Sequence, residues 1–370
     1  MARLVTAIGL MSGTSLDGVD AAIIATDGEL AVECGPALTI PYAEPVQAKL
    51  RSILGCRPEE RSAEIAEIAA ELTRLHGDAV RALLAESGNP TVEVIGFHGH
   101  TIFHRPREGV TYQIGDGSLL ASLTGIDVIN DFRSEDVAAG GEGAPFVPLF
   151  HVAMAADQPH PLAVLNLGGV GNVTWIGEDM APIAFDTGPG NALMDDWMRR
   201  HTGEPYDKEG QLAASWRPDR AVLAHLLGHP YFALRPPKSL DRNEFAASAL
   251  DAVAGLSLAD GAATLAAFTA HSVARAFDHL PAAPLRLLVT GGGRHNRALM
   301  TALAALLPFP VSAVEAVGWN GDALEAQAFG YLAVRSLRGL PLSLPSTTGA
   351  RRPTQGGRLH RAARRLKAGA

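Results

Sequence analysis

The pattern of hydrophobic and polar positions at the start of the chain predicts three antiparallel strands. Residues 4–11, 19–26 and 30–40 are apolar runs of strand length, and short segments of small and polar residues separate them. The pairs Asp17-Gly18 and Asp27-Gly28 can supply the positive φ angles of tight turns between these runs. We therefore expect a β-meander to open the chain.

The rest of the first half alternates helical and strand patterns. Apolar residues recur at near-helical spacing from 59 to 84, which predicts an amphipathic helix over the sheet. Residues 92–97 and 126–129 have the character of buried strands. Glycine and proline concentrate at 138–148, where the first α/β unit is expected to end. We place a domain boundary between residues 135 and 136, with a hinge close by.

The second half repeats the opening order of elements. Residues 162–167, 173–176 and 182–185 are predicted strands, and a glycine-rich turn at 168–172 separates the first two. This echo predicts a duplicated α/β unit with a nucleotide between the halves. The expected domains are 1–135 and 136–350.

Three further features complete the second half and the end of the chain. Asp260 is expected to cap a helix, and residues 323–335 to form another. A strand at 285–290 runs into a glycine cluster, after which a helix starts near Asn296. The tail at 351–370 carries seven Arg or Lys residues. We expect a solvated tail that packs loosely on the body.

Composition narrows the class of protein. The chain has 370 residues, 47% of them hydrophobic, a formal charge of −8 and a pI near 5.9. This balance disfavours a nucleic-acid partner and fits an enzyme that handles small molecules. Cys34 and Cys56 show no paired spacing, and no signal peptide or membrane helix is predicted. A reducing cytoplasm is the expected location, without a membrane partner.

Glycine loops indicate nucleotide binding. In the stretch 12–20, Gly13, Thr14 and Ser15 leave backbone N–H groups and hydroxyls free to face an anion, although most hairpins with Asp-Gly turns bind nothing. No Walker A order is present, and a dinucleotide fingerprint fails because Thr174 occupies the third glycine position. A two-domain kinase remains, with a phosphate-facing hairpin in each domain and a third loop at 291–293 for the nucleoside.

Ordered motifs over most of the chain carry a family resemblance. They are GLMSGTSLDGVD (9–20), GFHGHTIFHRP (96–106), QIGDG (113–117), NDFRSEDVAAGGEGAPFVP (130–148), NLGGVGNVT (166–174), FDTGPGN (185–191), PPKS (236–239) and GGGRHN (291–296). With these motifs the chain resembles the anhydro-N-acetylmuramic acid kinase family of the sugar kinase, actin and heat-shock ATPase superfamily. Departures occur at His100, where the family usually has glutamine, at 240–243, and in the acidic motif at 318–322.

The resemblance implies a fold and an activity. The fold class is α/β, with two duplicated actin-like (ribonuclease H-like) domains and a nucleotide cleft between them. The enzyme would use ATP and Mg²⁺ to open the 1,6-anhydro bridge of its amino sugar with water and phosphorylate the freed six-position oxygen. The product would be N-acetylmuramic acid 6-phosphate, formed in peptidoglycan recycling. The resemblance also implies a homodimer.

The resemblance further assigns roles to residues of this chain. It makes Asp186 the general base and Glu325 a residue near the sugar. Asp195 lies one helical turn after Asn191, so both can face the cleft, and we expect Asp195 to bind the sugar as well. ATP-binding residues would be Gly13, Thr14, Ser15, Leu16, Asp17, Gly18, Val19, Asp20, Gly168, Gly169, Gly171, Asn172, Gly291, Gly292 and Gly293. Asp20 or Asp17 would hold Mg²⁺ through water.

Structural alternatives accompany these roles. Asp186 in a glycine-rich segment can close an Asx turn, and Asn172 can cap a turn. Glu325 can lie on a solvated helix face, and Asp195 can pair locally. Two other functions also fit a nucleotide fold. One is a kinase of another sugar or of a carboxylate; the other is a non-catalytic ATP-binding switch.

Overall fold

The chain forms two compact α/β units. The structure, a computed structural model, describes residues 3–13, 16–215, 217–240 and 244–363. The first unit takes the described parts of 1–154, 323–345 and 350–370, and the second takes those of 155–322 and 346–349. Residues 323–345 and the end of the chain thus group with the N-terminal part. The predicted domain bounds of 1–135 and 136–350 stay a prediction.

Both units contain β-strands and α-helices. The strands are β1 (Val5–Ser12), β2 (Gly18–Thr26), β3 (Val32–Pro41), β4 (Val94–Arg105), β5 (Val110–Ile114), β6 (Asp127–Asn130), β7 (Leu162–Leu167), β8 (Val170–Ile176), β9 (Pro182–Pro189), β10 (Leu287–Thr290), β11 (Val311–Ala313) and β12 (Arg358–His360). The helices are α1 (Glu44–Ile53), α2 (Ser62–Glu86), α3 (Gly117–Thr124), α4 (Ser134–Ala138), α5 (Pro148–Met154), α6 (Ala192–Thr202), α7 (Gln211–Ala214), α8 (Arg220–Leu227), α9 (Ala246–Val253), α10 (Leu258–Ala276), α11 (Arg297–Leu306), α12 (Leu324–Leu337) and α13 (Pro345–Thr348).

The sheets of the two units share one topology. In the first unit the order is β12-β6-β4-β1-β2-β3, with β5 paired to β4; in the second it is β11-β10-β7-β8-β9. Each sheet contains an antiparallel meander, β1-β2-β3 or β7-β8-β9, and the next strand runs parallel to the first strand of its meander. The predicted meanders and the predicted duplication of an actin-like (ribonuclease H-like) α/β unit are confirmed.

The turn between β1 and β2 differs from the prediction. The left-handed residue among those described there is Leu16, with φ 62°, whereas we expected Asp17 and Gly18 to supply the positive angles. Gly18 instead lies in β2, where an added Cβ would meet the Ile40 carbonyl oxygen of the neighbouring strand. Gly18 is therefore required by close strand pairing rather than by the turn.

Helix α12 packs directly on the first sheet. An added Cβ at Gly9 would overlap the carbonyl oxygen of Ala326, and one at Gly96 would overlap that of Phe329. Glycine at these strand positions lets the helix backbone approach the strands, which a larger residue would prevent. The predicted helices at 59–84 and 323–335 correspond to α2 and α12, and both are confirmed.

Two helix starts in the second unit test the predicted caps. Helix α11 starts after Asn296, as expected, and the Asn296 side chain caps it by accepting a hydrogen bond from the Leu299 N–H. The predicted Asp260 cap is wrong, because Ser257 is the N-cap of α10 and accepts from the Asp260 N–H at 3.1 Å. Serine at the cap with an acidic residue three positions later satisfies the free N–H groups of the first turn.

Part of the basic tail belongs to the first sheet. Residues 358–360 form β12 and pair antiparallel with β6, so the expectation of a loosely packed tail is wrong for this stretch. Residues 364–370 lie outside the described residues. Across the described ranges, no helix combines the length and apolarity that a membrane crossing needs.

Candidate functional site

Glycine turns meet at one end of the second sheet. Gly168 and Gly169 form the turn between β7 and β8. Their carbonyl oxygens accept hydrogen bonds from the next turn, after β9: the Asn191 N–H binds Gly168 at 2.7 Å and the Gly190 N–H binds Gly169 at 3.0 Å. The Asn191 side chain donates a further bond to the Leu167 carbonyl oxygen at 3.0 Å. The two turns therefore form one bonded unit.

The third glycine loop joins this unit from β10. Gly291 has φ 74°, and an added Cβ would lie 2.8 Å from the Leu167 carbonyl carbon. An added Cβ at Gly293 would lie 2.5 Å from the Leu167 Cβ. Gly168 and Gly292 have more room, with nearest atoms at 3.8 Å and 3.5 Å. A backbone with such small residues can approach a ligand closely.

A buried arginine holds the third loop in place. The Arg294 guanidinium donates to the Gly291 carbonyl oxygen at 3.1 Å and to Glu315 at 2.8 Å. It also pairs with Asp322 at 2.8 Å, and its side chain is only 3% exposed. The imperfect acidic motif at 318–322 thus has a structural partner, because Asp322 anchors the loop through Arg294.

Gly171 and Asn172 lie in strand β8 rather than in the predicted turn at 168–172. Asn172 pairs with Asn166 of β7 and with Asp186 of β9. The alternative that Asn172 caps a turn is therefore wrong. An added Cβ at Gly171 would lie 2.7 Å from the Thr187 hydroxyl oxygen, so this glycine is required by packing between β8 and β9.

We expect Gly190→Ala to destabilise the protein by about 2–3 kcal/mol, because the added methyl group overpacks the junction of two turns. Its Cβ would overlap the carbonyl oxygen of Gly168, a backbone atom that cannot rotate away. The measurement is the free energy of unfolding in urea. Gly255→Ala is the matched control, since a Cβ there meets no atom within 4 Å. Equal stabilities of the two variants would contradict the prediction.

Asp186 is a buried carboxylate within β9, paired with Asn172 of β8 and four residues before the glycine turn at Gly190. It is 5% exposed, and its Oδ2 accepts a hydrogen bond from the Leu240 N–H at 2.7 Å. Its own N–H donates to the Lys238 carbonyl oxygen at 3.0 Å, and its carbonyl oxygen accepts from the Tyr231 hydroxyl at 2.6 Å. The segment around 238–240 and Tyr231 thus fix both the backbone and the carboxylate of Asp186.

Lys238 lies beside Asp186 and was not singled out by the sequence analysis. It is 6% exposed, and its Nζ donates to the Tyr231 carbonyl oxygen at 3.2 Å and lies 4.5 Å from the centre of the Tyr231 ring. Burial lowers the pKa of Lys238 to about 8, although the negative charge of Asp186 acts in the opposite direction. The available signal was the PPKS motif at 236–239.

Asp195 lies on α6, the helix that begins directly after the glycine turn at Gly190 and Asn191. Its N–H donates to the carbonyl oxygen of Asn191 at 3.0 Å, and both residues are half-buried. Asn191 also contacts the glycine turns, as described above. The predicted spacing of one helical turn between Asn191 and Asp195 is therefore confirmed.

The phosphate hairpin predicted at 12–20 lies in the first unit. Thr14 and Ser15 lie outside the described residues. The Leu16 N–H donates to the Gly13 carbonyl oxygen at 3.1 Å, and the Asp17 carbonyl oxygen accepts from the Tyr42 N–H at 2.9 Å. The side chains of Leu16 and Val19 are buried in the core, so their backbone groups are the parts suited to a ligand.

Asp17 and Asp20 differ in their surroundings. The Asp17 side chain is exposed, and its Oδ1 accepts a bond from the Gly18 N–H at 3.0 Å. Asp20 is half-buried in β2, and its Oδ1 accepts from the Thr39 hydroxyl at 2.6 Å. Mg²⁺ in kinases usually keeps several waters and needs only one or two protein carboxylates beside phosphate oxygens. The two carboxylates fit that role, although no set of three metal-ligating side chains occurs among the described residues.

A buried hydrogen-bond chain lies just before the hairpin. The Tyr42 hydroxyl donates to Ser12 Oγ at 2.7 Å, and Ser12 Oγ lies 3.0 Å from His100 Nδ1. Burial lowers the pKa of His100 to about 4, so the ring is neutral near pH 7. The position at which this chain departs from the family glutamine therefore supplies a hydrogen-bond partner for Ser12.

Glu325 lies in the first turn of α12, as the sequence predicted, and is half-buried. The next residue, Ala326, approaches the backbone of Gly9 in β1. The predicted site residues therefore divide between the units. The first unit contains residues 13–20 and Glu325, and the second contains Asp186, Asp195 and the glycines of 168–171 and 291–293.

Comparisons with known proteins identify relatives over nearly the whole chain. A family model described as anhydro-N-acetylmuramic acid kinase matches residues 5–362. The anhydro-N-acetylmuramic acid kinase of Rhodospirillum rubrum is 58% identical over 95% of this chain and 93% of that protein. The one from Paramagnetospirillum magneticum is 56% identical over 96% of this chain and 99% of that protein. A solved structure, the ADPNP-bound activator of 2-hydroxyisocaproyl-CoA dehydratase from Clostridium difficile, is 10% identical with a TM-score of 0.46, over 90% of this chain and 96% of that one.

Proposed function

The chain belongs to the anhydro-N-acetylmuramic acid kinase family and is an ATP-dependent kinase of that family, and from this premise we propose how its residues act. The substrate is 1,6-anhydro-N-acetylmuramic acid. Water attacks the anomeric carbon and the bond from that carbon to the bridge oxygen breaks. The freed six-position oxygen takes the γ-phosphoryl group of ATP. The products are N-acetylmuramic acid 6-phosphate and ADP.

Asp186 acts as the general base in this proposal. As water attacks, one of its protons passes to the Asp186 carboxylate while the water oxygen bonds to the anomeric carbon. The observation that carries the proposal is the placement of this carboxylate, which is buried within β9 and bound by the Leu240 N–H, four residues before the glycine turn at Gly190. A fixed, largely desolvated carboxylate is suited to proton transfer from a positioned water.

Backbone groups and carboxylates serve the nucleotide. Residues 13–20 and the glycines at 168, 169 and 171, with Asn172, bind the ATP phosphates, and the loop at 291–293 contacts the nucleoside. Asp17 and Asp20 hold Mg²⁺ through water, and that ion neutralises charge on the transferring phosphoryl group. Gly171 and Asn172 would contact the phosphates through their backbone, since both lie within β8.

Glu325 and Asp195 serve the sugar in this proposal. Both are half-buried carboxylates in the first turn of a helix, and carboxylates can accept hydrogen bonds from sugar hydroxyl groups. Both interact with other residues of the protein, which would fix their orientation.

The cellular role follows from the substrate. Because this anhydro sugar comes from cell-wall breakdown, we place the enzyme in peptidoglycan recycling. A cytoplasmic location is consistent with the two free cysteines, Cys34 and Cys56. A homodimer rests on the family resemblance, and sedimentation velocity of the purified protein would test it.

The test is mass analysis of the product after the protein is mixed with Mg²⁺, ATP and 1,6-anhydro-N-acetylmuramic acid. The expected product has gained one phosphate and one water. If only another sugar reacts, and its product gains phosphate but no water, the substrate assignment is wrong. Absence of ADP with every sugar tested would favour a non-catalytic ATP-binding switch. Reaction in ¹⁸O-labelled water should place the label at the anomeric position, which checks the bond that breaks.

A further inference from the structure

Lys238 is buried in an aromatic pocket beside the candidate base. Its Nζ lies 4.5 Å from the Tyr231 ring centre and 5.9 Å from that of Phe185, the residue before Asp186. Tyr231 also donates its hydroxyl hydrogen bond to the Asp186 carbonyl oxygen. One side chain, Tyr231, thus contacts both the lysine and the backbone of the base.

A buried ammonium group is unfavourable unless carbonyl oxygens, aromatic faces or an opposite charge compensate it. Lys238 has all three: the Tyr231 carbonyl oxygen, two ring faces, and the electrostatic interaction with Asp186. An ordinary apolar residue would fill this pocket without that penalty. The presence of lysine therefore calls for a role in which its charge is used.

The backbone around Lys238 also forms hydrogen bonds with Asp186. The Lys238 carbonyl oxygen accepts from the Asp186 N–H at 3.0 Å, and two residues later the Leu240 N–H binds the Asp186 carboxylate at 2.7 Å. Two hydrogen bonds therefore tie the chain segment that carries Lys238 to the backbone and the carboxylate of Asp186.

We propose that Lys238 is a positioning residue for Asp186, whose charge keeps that carboxylate ionised and whose backbone holds it in place for the attacking water. The inference deepens the proposed function and rests on Asp186 being the base. Two charges held close together in a largely water-free setting interact strongly. Loss of the positive charge therefore favours the protonated, inactive form of the carboxylate.

Other titratable groups surround this pair. The His279 ring lies 6.3 Å from Phe185, the His229 Nδ1 accepts from the Tyr231 N–H, and Arg275 lies 6.0 Å from the Phe232 ring. Asp241 and Arg242 lie outside the described residues. Variants that differ only at position 238 keep all of these groups. A difference in pH dependence between them therefore reports the charge at position 238.

The experiment measures kcat/KM up to pH 9 for the wild type, Lys238→Met and Lys238→Arg, down to the lowest pH at which circular dichroism shows all three proteins folded. In the methionine variant the acid limb should move to higher pH by about one unit or more, since at an effective dielectric of about 20 a charge within about 12 Å changes a pKa by at least that much. The arginine variant, which keeps the charge, should have a limb close to that of the wild type. Lys208→Met, at an exposed lysine of the same unit, is the control and should match the wild type.

A purely structural role predicts a different result. If Lys238 only fills the pocket, Lys238→Met lowers the plateau or leaves it unchanged but does not move the limb, and the proposal is overturned. The thermal midpoint of each variant identifies unfolding, and Lys238→Gln provides a second uncharged side chain should methionine fail to fold. Failure of the wild type to phosphorylate the anhydro sugar would instead overturn the proposed function. The two failures are therefore distinct.

Discussion

Replacing Asp186 with asparagine should lower kcat about 1,000-fold, within the range that general-base catalysis contributes. In the wild type the Leu240 N–H lies 2.7 Å from the Asp186 carboxylate, and the amide oxygen of asparagine can accept the same hydrogen bond. The hydrogen bonds of residue 186 to Lys238 and Tyr231 involve its backbone and do not depend on the side chain. The fold of the second unit should therefore persist. What the variant loses is a group that can take a proton from water.

The measurement is the initial rate of sugar phosphate formation, with the thermal midpoint as a check on folding. Asp179→Asn is the matched control, because Asp179 lies in the turn between β8 and β9 and uses its Oδ1 to accept from the Ala181 N–H at 3.1 Å. That variant should keep nearly the full rate. A folded Asp186→Asn enzyme with a wild-type rate would exclude Asp186 as the base.

Much of the fold was predictable because its signals are local. Apolar runs of strand length separated by glycine-containing turns predicted both meanders, and the strand at 162–167 was placed at its observed bounds. Helical spacing predicted α2 and α12. Each of these patterns depends on neighbours within a few residues, so a single sequence contains the necessary information.

The surroundings of Asp186 were not predictable in the same way. Leu240 lies 54 residues from Asp186 in the chain, and Lys238 and Tyr231 reach it through tertiary packing. No periodic pattern encodes such a contact. The FDTGPGN motif drew attention to the carboxylate, but only the structure shows what holds it and which charge lies beside it.

Two smaller errors, in the turn before β2 and in the role of glycines, also arise from tertiary contacts. The turn before β2 takes its positive φ at Leu16, a residue with no intrinsic preference for that conformation, while the core burial of its side chain favours it. Gly18 and Gly171 were predicted in turns, but they lie in strands, where their lack of a side chain permits close packing. Glycine in a sequence does not by itself distinguish a turn from a tight contact.

Acid should destabilise the first unit strongly between pH 6.5 and pH 5. Burial lowers the pKa of His76 and His100 to about 4 and that of His151 to about 3, from an ordinary value of 6.5. Burial and the neighbouring Arg133 charge lower the pKa of His98 as well. All four histidines belong to the first unit.

The sign follows from proton binding. In the unfolded chain these histidines take up protons near pH 6.5, but in the folded unit they stay neutral until about pH 4 or below. The unfolded state therefore binds more protons in this interval, and the free energy of unfolding falls as pH falls. Each histidine contributes about 2 kcal/mol of this loss by pH 5. Three such losses approach the entire stability of a typical domain, about 5–15 kcal/mol.

Hydrogen exchange measured by peptide mass analysis at pH 6.5 and pH 5, corrected for the intrinsic exchange rate, would follow each unit separately. Peptides from β1, β2 and β4 should lose protection at pH 5. Tryptophan fluorescence provides a separate probe of the second unit, since all four tryptophans lie between residues 155 and 322. Unchanged protection of the first-unit strands at pH 5 would contradict the prediction.

A histidine that cannot titrate should reduce this acid sensitivity. His76 is fully buried on α2, with its ring 4.8 Å from that of Phe97, so leucine can replace it among apolar neighbours. In His76→Leu, the stability lost between pH 6.5 and pH 5 should be smaller by about 2 kcal/mol, whatever the variant's stability at neutral pH. His225→Leu, at an exposed position on α8, should lose as much stability as the wild type. Equal losses in the two variants would show that acid acts through groups other than His76.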